Sequence, residues 1–174
     1  PGRTKTTHVG SNQPTEQAQA TKGGPPLISI IIVSYNVKDF LEQALLSVHK
    51  SLSKVKGEVI VVDNASTDGT ASLLRDRFLG VTLIENARHV GFATASNQGL
   101  REAGGQYLAL LNPDTIVRED TFSSMIEFFR TNPKTGMLGC KILNPNGSLQ
   151  LACRRSFPTP WVAFTKLSGL SYLF

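Results

Sequence analysis

The sequence predicts an α/β protein with an open, mostly parallel sheet and helices on both faces, followed by a C-terminal β-hairpin and helix. Three observations predict it. Short β-branched apolar runs alternate with stretches of helical period, and clusters of small polar residues follow three of the runs. An alternation of this kind buries both faces of its strands, because right-handed crossovers lay each helix back over the sheet.

The first run, Leu27 to Val33, reads Leu-Ile-Ser-Ile-Ile-Ile-Val. Val37 to Lys50 then sets Phe40, Leu41, Ala44, Leu45 and Val48 on one face at helical spacing. A second apolar run covers Glu58 to Val62. Thr70 to Phe78 is again helical, with Leu73, Leu74 and Phe78 in phase. Val81 to Ile84 reads as a third strand and Ala93 to Ala103 as a third helix, which ends before Gly104-Gly105, a helix stop. Gln106 to Leu111 supplies a fourth strand. Glu119 to Arg130 gives a fourth helix, with Phe122, Met125, Ile126 and Phe129 on one side. Met137 to Leu143 and Leu149 to Cys153 flank Asn144-Pro145-Asn146-Gly147, whose Asn-Gly step predicts a hairpin between two strands.

The 174 residues are 40% hydrophobic and 18% charged, with 18 Lys and Arg against 13 Asp and Glu, a net charge of +5. That composition fits one globular domain and excludes a disordered polyelectrolyte. Residues 1–26 stand apart. They are polar, with Val9 the one large aliphatic side chain, and read as a disordered tail or linker. Arg3, Lys5 and Lys22 are spread thinly there and opposed by Glu16, so no nucleic-acid arm is expected. Pro1 in place of an initiator methionine suggests a cut or processed N-terminus. Cys140 and Cys153 read as reduced thiols of a cytoplasmic protein. No run approaches the roughly 20 apolar residues that span a bilayer, and the first residues lack the apolar core of a signal peptide.

The polar clusters are the informative feature. The first strand runs into Ser34-Tyr35-Asn36, the second into Asp63-Asn64-Ala65-Ser66-Thr67-Asp68-Gly69-Thr70, and the fourth into Asn112-Pro113-Asp114. In a parallel sheet these converge on the carboxyl edge, where ligands of such sheets bind and helix N-termini offer unpaired N–H groups to phosphate. Each cluster also has a purely structural reading. Ser66, Thr67 or Asp68 serves as a cap of the second helix. Asn112-Pro113-Asp114 taken alone is also a turn sequence. Asp63 fits the structural reading least, since a carboxylate that ends an apolar strand adds nothing to packing. Asp114 suits a hard cation such as Mg²⁺ or Mn²⁺, which binds through one or two carboxylates and completes its shell with substrate phosphates.

Four segments, in order, carry a family resemblance: Val33-Ser34-Tyr35-Asn36, Val61 to Thr70, Asn86 through Gly91-Phe92-Ala93 to Asn97-Gln98-Gly99, and Leu111-Asn112-Pro113-Asp114. From Leu27 onward the chain resembles the family 2 glycosyltransferases of the GT-A fold, with its Rossmann-like sheet, and in particular the rhamnosyltransferase-like members. The resemblance implies an inverting glycosyltransferase that moves a sugar, rhamnose among the candidates, from a dTDP- or UDP-sugar to a saccharide or lipid-linked saccharide acceptor. Residues 27–174 would then form the nucleotide-sugar-binding part of the domain. The backbone of Val33, Ser34 and Tyr35 and the side chain of Asp63 would hold the base and ribose, with Asn64 and Ser66 beside them. Arg88, Gly91 and Asn97 would lie near the ribose or diphosphate. Asp114 would take the last place of the family's Asp-x-Asp metal motif, with Asn112, an amide and not a carboxylate, at its first place.

The same resemblance implies a general base, an Asp or Glu well downstream of the metal motif. After Glu127 the sequence holds no carboxylate, so the base is expected beyond Phe174 and the acceptor-binding part with it. Glu119, Asp120 and Glu127 read as the solvated start and polar face of a helix. Arg130, Lys134, Lys141, Arg154, Arg155 and Lys166 leave residues 128–174 uniformly basic, a surplus that missing acidic segments or an anionic ligand would balance. Arg154-Arg155 is either a phosphate contact or a solvated pair. Trp161 to Phe174, with Trp161, Phe164, Leu167 and Leu170 on one side, is either a core helix lacking its cover or a peripheral membrane contact at the inner face of the cell membrane. Two other readings remain. A nucleotide-dependent oxidoreductase would show G-x-G-x-x-G after the first strand, and the sequence does not. A non-catalytic nucleotide-sugar-binding relic would keep the binding residues and lack the base, as this sequence does.

Overall fold

The structure is a computed structural model that describes residues 24–150 together with Thr159 and Phe164. The chain divides into two compact units, Pro1–Pro133 and Lys134–Phe174. In the first, β1 (Ile28–Ser34), α1 (Lys38–Ser51), β2 (Gly57–Asp63), α2 (Thr70–Arg77), β3 (Val81–Glu85), α3 (Phe92–Glu102), β4 (Tyr107–Leu111) and α4 (Thr121–Thr131) follow one another. A 3-10 turn over Leu52–Lys54 extends α1. The strands form one parallel sheet in the order β3-β2-β1-β4.

Strand order and crossover hand decide which helix covers which face. The steps β1 to β2 and β2 to β3 move one way across the sheet, and the step from β3 back to β4 moves the other way. Right-handed crossovers therefore put α1 and α2 on one face and α3 on the opposite one. The packing agrees. Ile28, Ile30 and Ile32 of β1 and Val59 and Val61 of β2 share a buried cluster with Leu41, Leu45 and Val48 of α1, Leu74 of α2, Phe78, and Phe122 and Ile126 of α4. The other face meets α3. A Cβ on Gly99 would come within 2.5 Å of Ile31 Cγ2 and 3.3 Å of Val62 Cγ2, so glycine sets how closely that helix approaches.

β1 lies between β2 and β4 and is buried nearly throughout, whereas β4 is an edge of the sheet formed by the described residues. Its Tyr107, Ala109 and Leu111 pack on the main core while Leu108 and Leu110 point outward and are more than half exposed. Two expectations need correction. Phe40 does not join the buried face of α1 and is 59% exposed. It sits in the helix's first turn, and burial falls instead on Leu41, Ala44, Leu45 and Val48, three and four residues apart.

The second correction concerns residues 134–150. Only one antiparallel bridge forms, Leu143 with Leu149, closed by Asn144 N–H to Ser148 O at 2.8 Å and Gly147 N–H to Asn144 O at 2.9 Å. The hairpin turn is present, but Met137 to Leu143 is not a strand. A two-stranded ribbon is marginal alone, and Gly139 weakens the run further. The expected second hairpin strand beyond Gln150, Cys153, Arg154-Arg155 and the 161–174 helix lie outside the described residues, apart from Phe164. No helix among the described residues is long and apolar enough to cross a membrane.

Candidate functional site

Strand register brings the polar clusters to one rim. Ser34 pairs with Asp63, Asp63 with Glu85, and Ile32 with Leu111, so the residues after β1, β2, β3 and β4 leave the sheet from the same edge. β2 and β4 flank β1, which sets the ends of β2 and β4 about 10 Å apart at two strand spacings. Backbone pairing continues past the strands through Asn64 N–H to Ser34 O at 2.8 Å and Asn86 N–H to Asp63 O at 2.9 Å.

The β1–α1 and β2–α2 loops are laced together. Asn36 donates its N–H to Ser66 Oγ at 2.9 Å, and its Oδ1 accepts the N–H of Thr67 at 2.7 Å. Asp68 then serves two helices at once. One oxygen accepts the Lys38 N–H at 2.8 Å, the first of α1, and the other accepts the Thr70 N–H at 3.0 Å and the Thr70 hydroxyl at 2.6 Å, at the start of α2. Desolvation raises the Asp68 pKa, but the Thr70 hydroxyl and the Lys38 and Thr70 amides outweigh it and hold the carboxyl below its ordinary value. The N-cap position of α2 is Gly69, and of the three residues with a capping reading Asp68, one residue before it, accepts the first helical N–H. Its service to α1 was not foreseen, because the 30 residues between Lys38 and Asp68 hide the contact from local reading.

Alternation along β2 sends neighbouring side chains to opposite faces. Asp63 shares a face with Val59 and Val61 and is 4% exposed. Its carboxylate oxygens receive one N–H, that of Ser66, at a long 3.4 Å to each. Asn64 turns the other way. Its Oδ1 accepts the Val90 N–H at 2.9 Å and the Asn86 amide at 3.3 Å, so this side chain holds the β3–α3 loop. Asn86 and Gln98 exchange two amide hydrogen bonds, at 2.9 and 2.8 Å, and fix the same loop to α3.

Ser34 is fully buried, and its hydroxyl has no hydrogen-bond partner among the described residues. Val33 is half-buried. Tyr35 is 48% exposed, with its ring edge-on to His89 at 4.6 Å between centroids and 71° between planes. Arg88 is exposed on the same loop as His89. Gly91 opens α3 with φ 84° and ψ 159°, a conformation essentially restricted to glycine, and a Cβ there would meet no protein atom within 4 Å. Backbone conformation, not crowding within the chain, requires glycine at this position. Asn97 is exposed five residues into α3, roughly 7.5 Å along the helix axis from its start.

After β4, Thr115 N–H returns to Asn112 O at 3.2 Å, closing a turn in which Asn112 and Asp114 are both exposed. The turn reading of this tripeptide is thus realised, and it leaves an amide and a carboxylate at the rim. No group of three His, Cys, Asp or Glu gathers among the described residues. An amide and one carboxylate suit a hard cation that keeps most of its shell for phosphate and water, not a closed protein cage. Glu119 and Asp120 are exposed at the start of α4, where Asp120 pairs with Arg118 at 3.4 Å.

Known proteins give this rim a context. A poly-beta-1,6-N-acetyl-D-glucosamine synthase of Staphylococcus aureus (strain MSSA476) is 37% identical over 114 residues, covering 63% of this chain and 27% of that protein. The structure of the mannosyltransferase PcManGT from Pyrobaculum calidifontis in complex with GDP-Man and Mn²⁺ superposes with a TM-score of 0.58 at 28% identity, over 71% of this chain and 37% of that one. S. aureus TarS 1-349 in complex with UDP shares the fold, with a TM-score of 0.55 at 23% identity, over 60% of this chain and 32% of that one. The chain thus covers between about a quarter and two fifths of the length of these three proteins. Residues 29–160, most of the chain, match the glycosyl transferase family 2 pattern, and the chain belongs to that family.

Proposed function

We propose that this chain binds a nucleoside-diphosphate sugar at the carboxyl rim of its sheet and serves an inverting transfer of the sugar to a saccharide or lipid-linked saccharide acceptor. The observation that carries the reading is the shared rim, with Asp63 and Asn112–Asp114 about two strand spacings apart on either side of β1. A nucleoside diphosphate is long enough to reach from one to the other.

In this reading Asp63 and the backbone of Val33 to Tyr35 hold the nucleoside. Ser66 orients Asn36 and, through its own N–H, Asp63. Arg88 and the free amides at the start of α3, opened by Gly91, face the diphosphate, where negative charge favours a helix N-terminus. Asn112 and Asp114 fit a Mg²⁺ or Mn²⁺ ion, which when bound supplies positive charge to the departing diphosphate. Transfer forms a bond from the acceptor oxygen to the anomeric carbon while the bond from that carbon to the diphosphate breaks. The acceptor proton passes to a general base. Glu119 and Asp120 are solvated at a helix start and do not face the rim's polar clusters as a base would, so we assign the base to no residue of this chain. The chain alone is then a donor-binding unit. The kinship with a polysaccharide synthase favours polysaccharide or cell-wall biosynthesis as its setting, at the cytoplasmic side of the membrane.

Calorimetric titration with UDP, dTDP and GDP, each with and without Mn²⁺, tests the reading, and the corresponding sugars, dTDP-rhamnose included, sort the donor. Binding should tighten with Mn²⁺, and Asp114→Ala should remove that increment while leaving metal-free binding in place. An unchanged Mn²⁺ dependence in Asp114→Ala would reject the assignment, and a preference for NAD over every nucleoside diphosphate would return the oxidoreductase reading.

A further inference from the structure

We propose that His89 is a positioning residue that holds the Tyr35 ring at the angle from which it packs against the donor's nucleobase. The inference rests on the donor-site reading above and extends it to a residue that reading leaves without a role. Tyr35 is the one aromatic side chain carried by the three clusters that follow β1, β2 and β4, and it makes no hydrogen bond among the described residues. Its contact is with His89, edge to face at 4.6 Å. That is an arrangement aromatic rings favour through their quadrupoles.

Both backbones are fixed while both side chains stand in solvent. On one side, Asn36 is tied to Ser66 and Thr67 immediately after Tyr35. On the other, Asn64 Oδ1 grips the Val90 N–H immediately after His89, and the Asn86–Gln98 pair secures the base of that loop. Three buried or half-buried amides thus converge on a loop whose exposed residues are Ala87, Arg88 and His89. Of these, His89 alone has a ring to offer Tyr35. An unsupported Tyr35 would sample its rotamers freely and lose that freedom on binding a base, so a pre-set ring lowers the entropy cost of recognition. The fold thereby links β1, which carries the base platform, to the loop that carries Arg88 toward the diphosphate.

The test separates base from phosphate. Full-length chain and its His89→Ala and His89→Phe variants are titrated with UDP and with inorganic pyrophosphate, both in Mn²⁺, with thermal melts as a folding control. His89→Ala should weaken UDP binding roughly two- to tenfold, the range an edge-to-face aromatic contact spans. Pyrophosphate binding should be unchanged, and His89→Phe should restore UDP affinity. In a Tyr35→Ala background the His89→Ala effect should vanish. Equal loss for UDP and pyrophosphate would make His89 a phosphate contact and overturn the inference, as would no loss at all or a failure of phenylalanine to rescue. A parent chain that binds pyrophosphate but not UDP would instead sink the nucleoside-site reading itself, and this inference with it.

Discussion

The two ends of β1 carry serines in contrasting states. At the amino end, Ser29 is fully buried and fully engaged. Its hydroxyl donates to Glu58 Oε1 at 2.5 Å and accepts the Gly105 N–H at 2.8 Å, while the same Glu58 oxygen accepts the Gly104 N–H at 2.7 Å. At the carboxyl end, Ser34 is just as buried and its hydroxyl is unpartnered. Asp63 beside it has only two long contacts, to one amide. Backbone strain falls at the same end, since the two non-glycine residues with positive φ among the described residues, Asn36 and Ala65, both follow a strand's carboxyl end. A non-glycine residue such as Ala65 at φ 70° is uncommon and costs energy. One end of the sheet is closed by its own side chains, and the other is built with unmet polar capacity.

If that contrast is correct, the amino end should be the more sensitive to crowding. A Cβ on Gly105 would sit 2.6 Å from the Ser29 nitrogen and hydroxyl and 2.8 Å from the Ile28 carbonyl carbon, and main-chain atoms cannot rotate aside. Gly105→Val should therefore destabilise the fold by at least about 3 kcal/mol, the upper end for overpacked cores, as read by urea unfolding. A loss under 1 kcal/mol would mean that β4 shifts easily and that the amino end is not closed in the sense argued here.

Asp68 tests the other end for stability without touching the rim's open groups. It supports the first turns of both α1 and α2, so Asp68→Ala should cost about 1–2 kcal/mol at neutral pH. The sign of its pH dependence follows from its lowered pKa. A carboxyl whose folded value lies below the unfolded one contributes fully above the ordinary value of 3.8 and loses that contribution as pH falls through the folded value. The stability gap between wild type and Asp68→Ala should thus be flat from pH 7 to about 5 and should narrow below about pH 4. A gap that widens on acidification would show that Asp68 is not the ionised cap described.

Much of this was legible in the chain because it is local. The contrast between β-branched runs and helical period gave all eight elements of the first unit in order, with ends within two residues for most. The polar clusters were legible for the same reason, since each directly follows its run. The same logic distinguishes Asp63 from Asn64. Parity along β2 groups Asp63 with Val59 and Val61 and sends Asn64 toward α3, where its amide is engaged within the fold. What sequence could not supply was partner choice across loops. Lys38 with Asp68, Asn36 with Thr67 and Tyr35 with His89 depend on where two loops end after their strands have paired. The overestimate of Met137 to Leu143 as a strand has the opposite origin, because an apolar run does not by itself fix backbone pairing and Gly139 interrupts this one.

The smallest expected effect sharpens the comparison most, because one substitution at two ends of one strand should differ in sign. Ser29→Ala strips a hydroxyl that two groups use and should cost about 1 kcal/mol or more, since it leaves the Gly105 N–H without an acceptor. Ser34→Ala strips a buried hydroxyl that nothing in the described chain uses. Relieving that unmet group should leave stability unchanged or raise it by up to about 1 kcal/mol in the absence of ligand. The same substitution should leave nucleoside-diphosphate binding unchanged, because the hydroxyl is sealed from solvent and out of a ligand's reach. Denaturant melts with and without UDP read stability and binding in one experiment. Ser34→Ala that destabilises the ligand-free chain would mean the hydroxyl already has a partner, a bound water for example, and that the carboxyl end is as closed as the amino end.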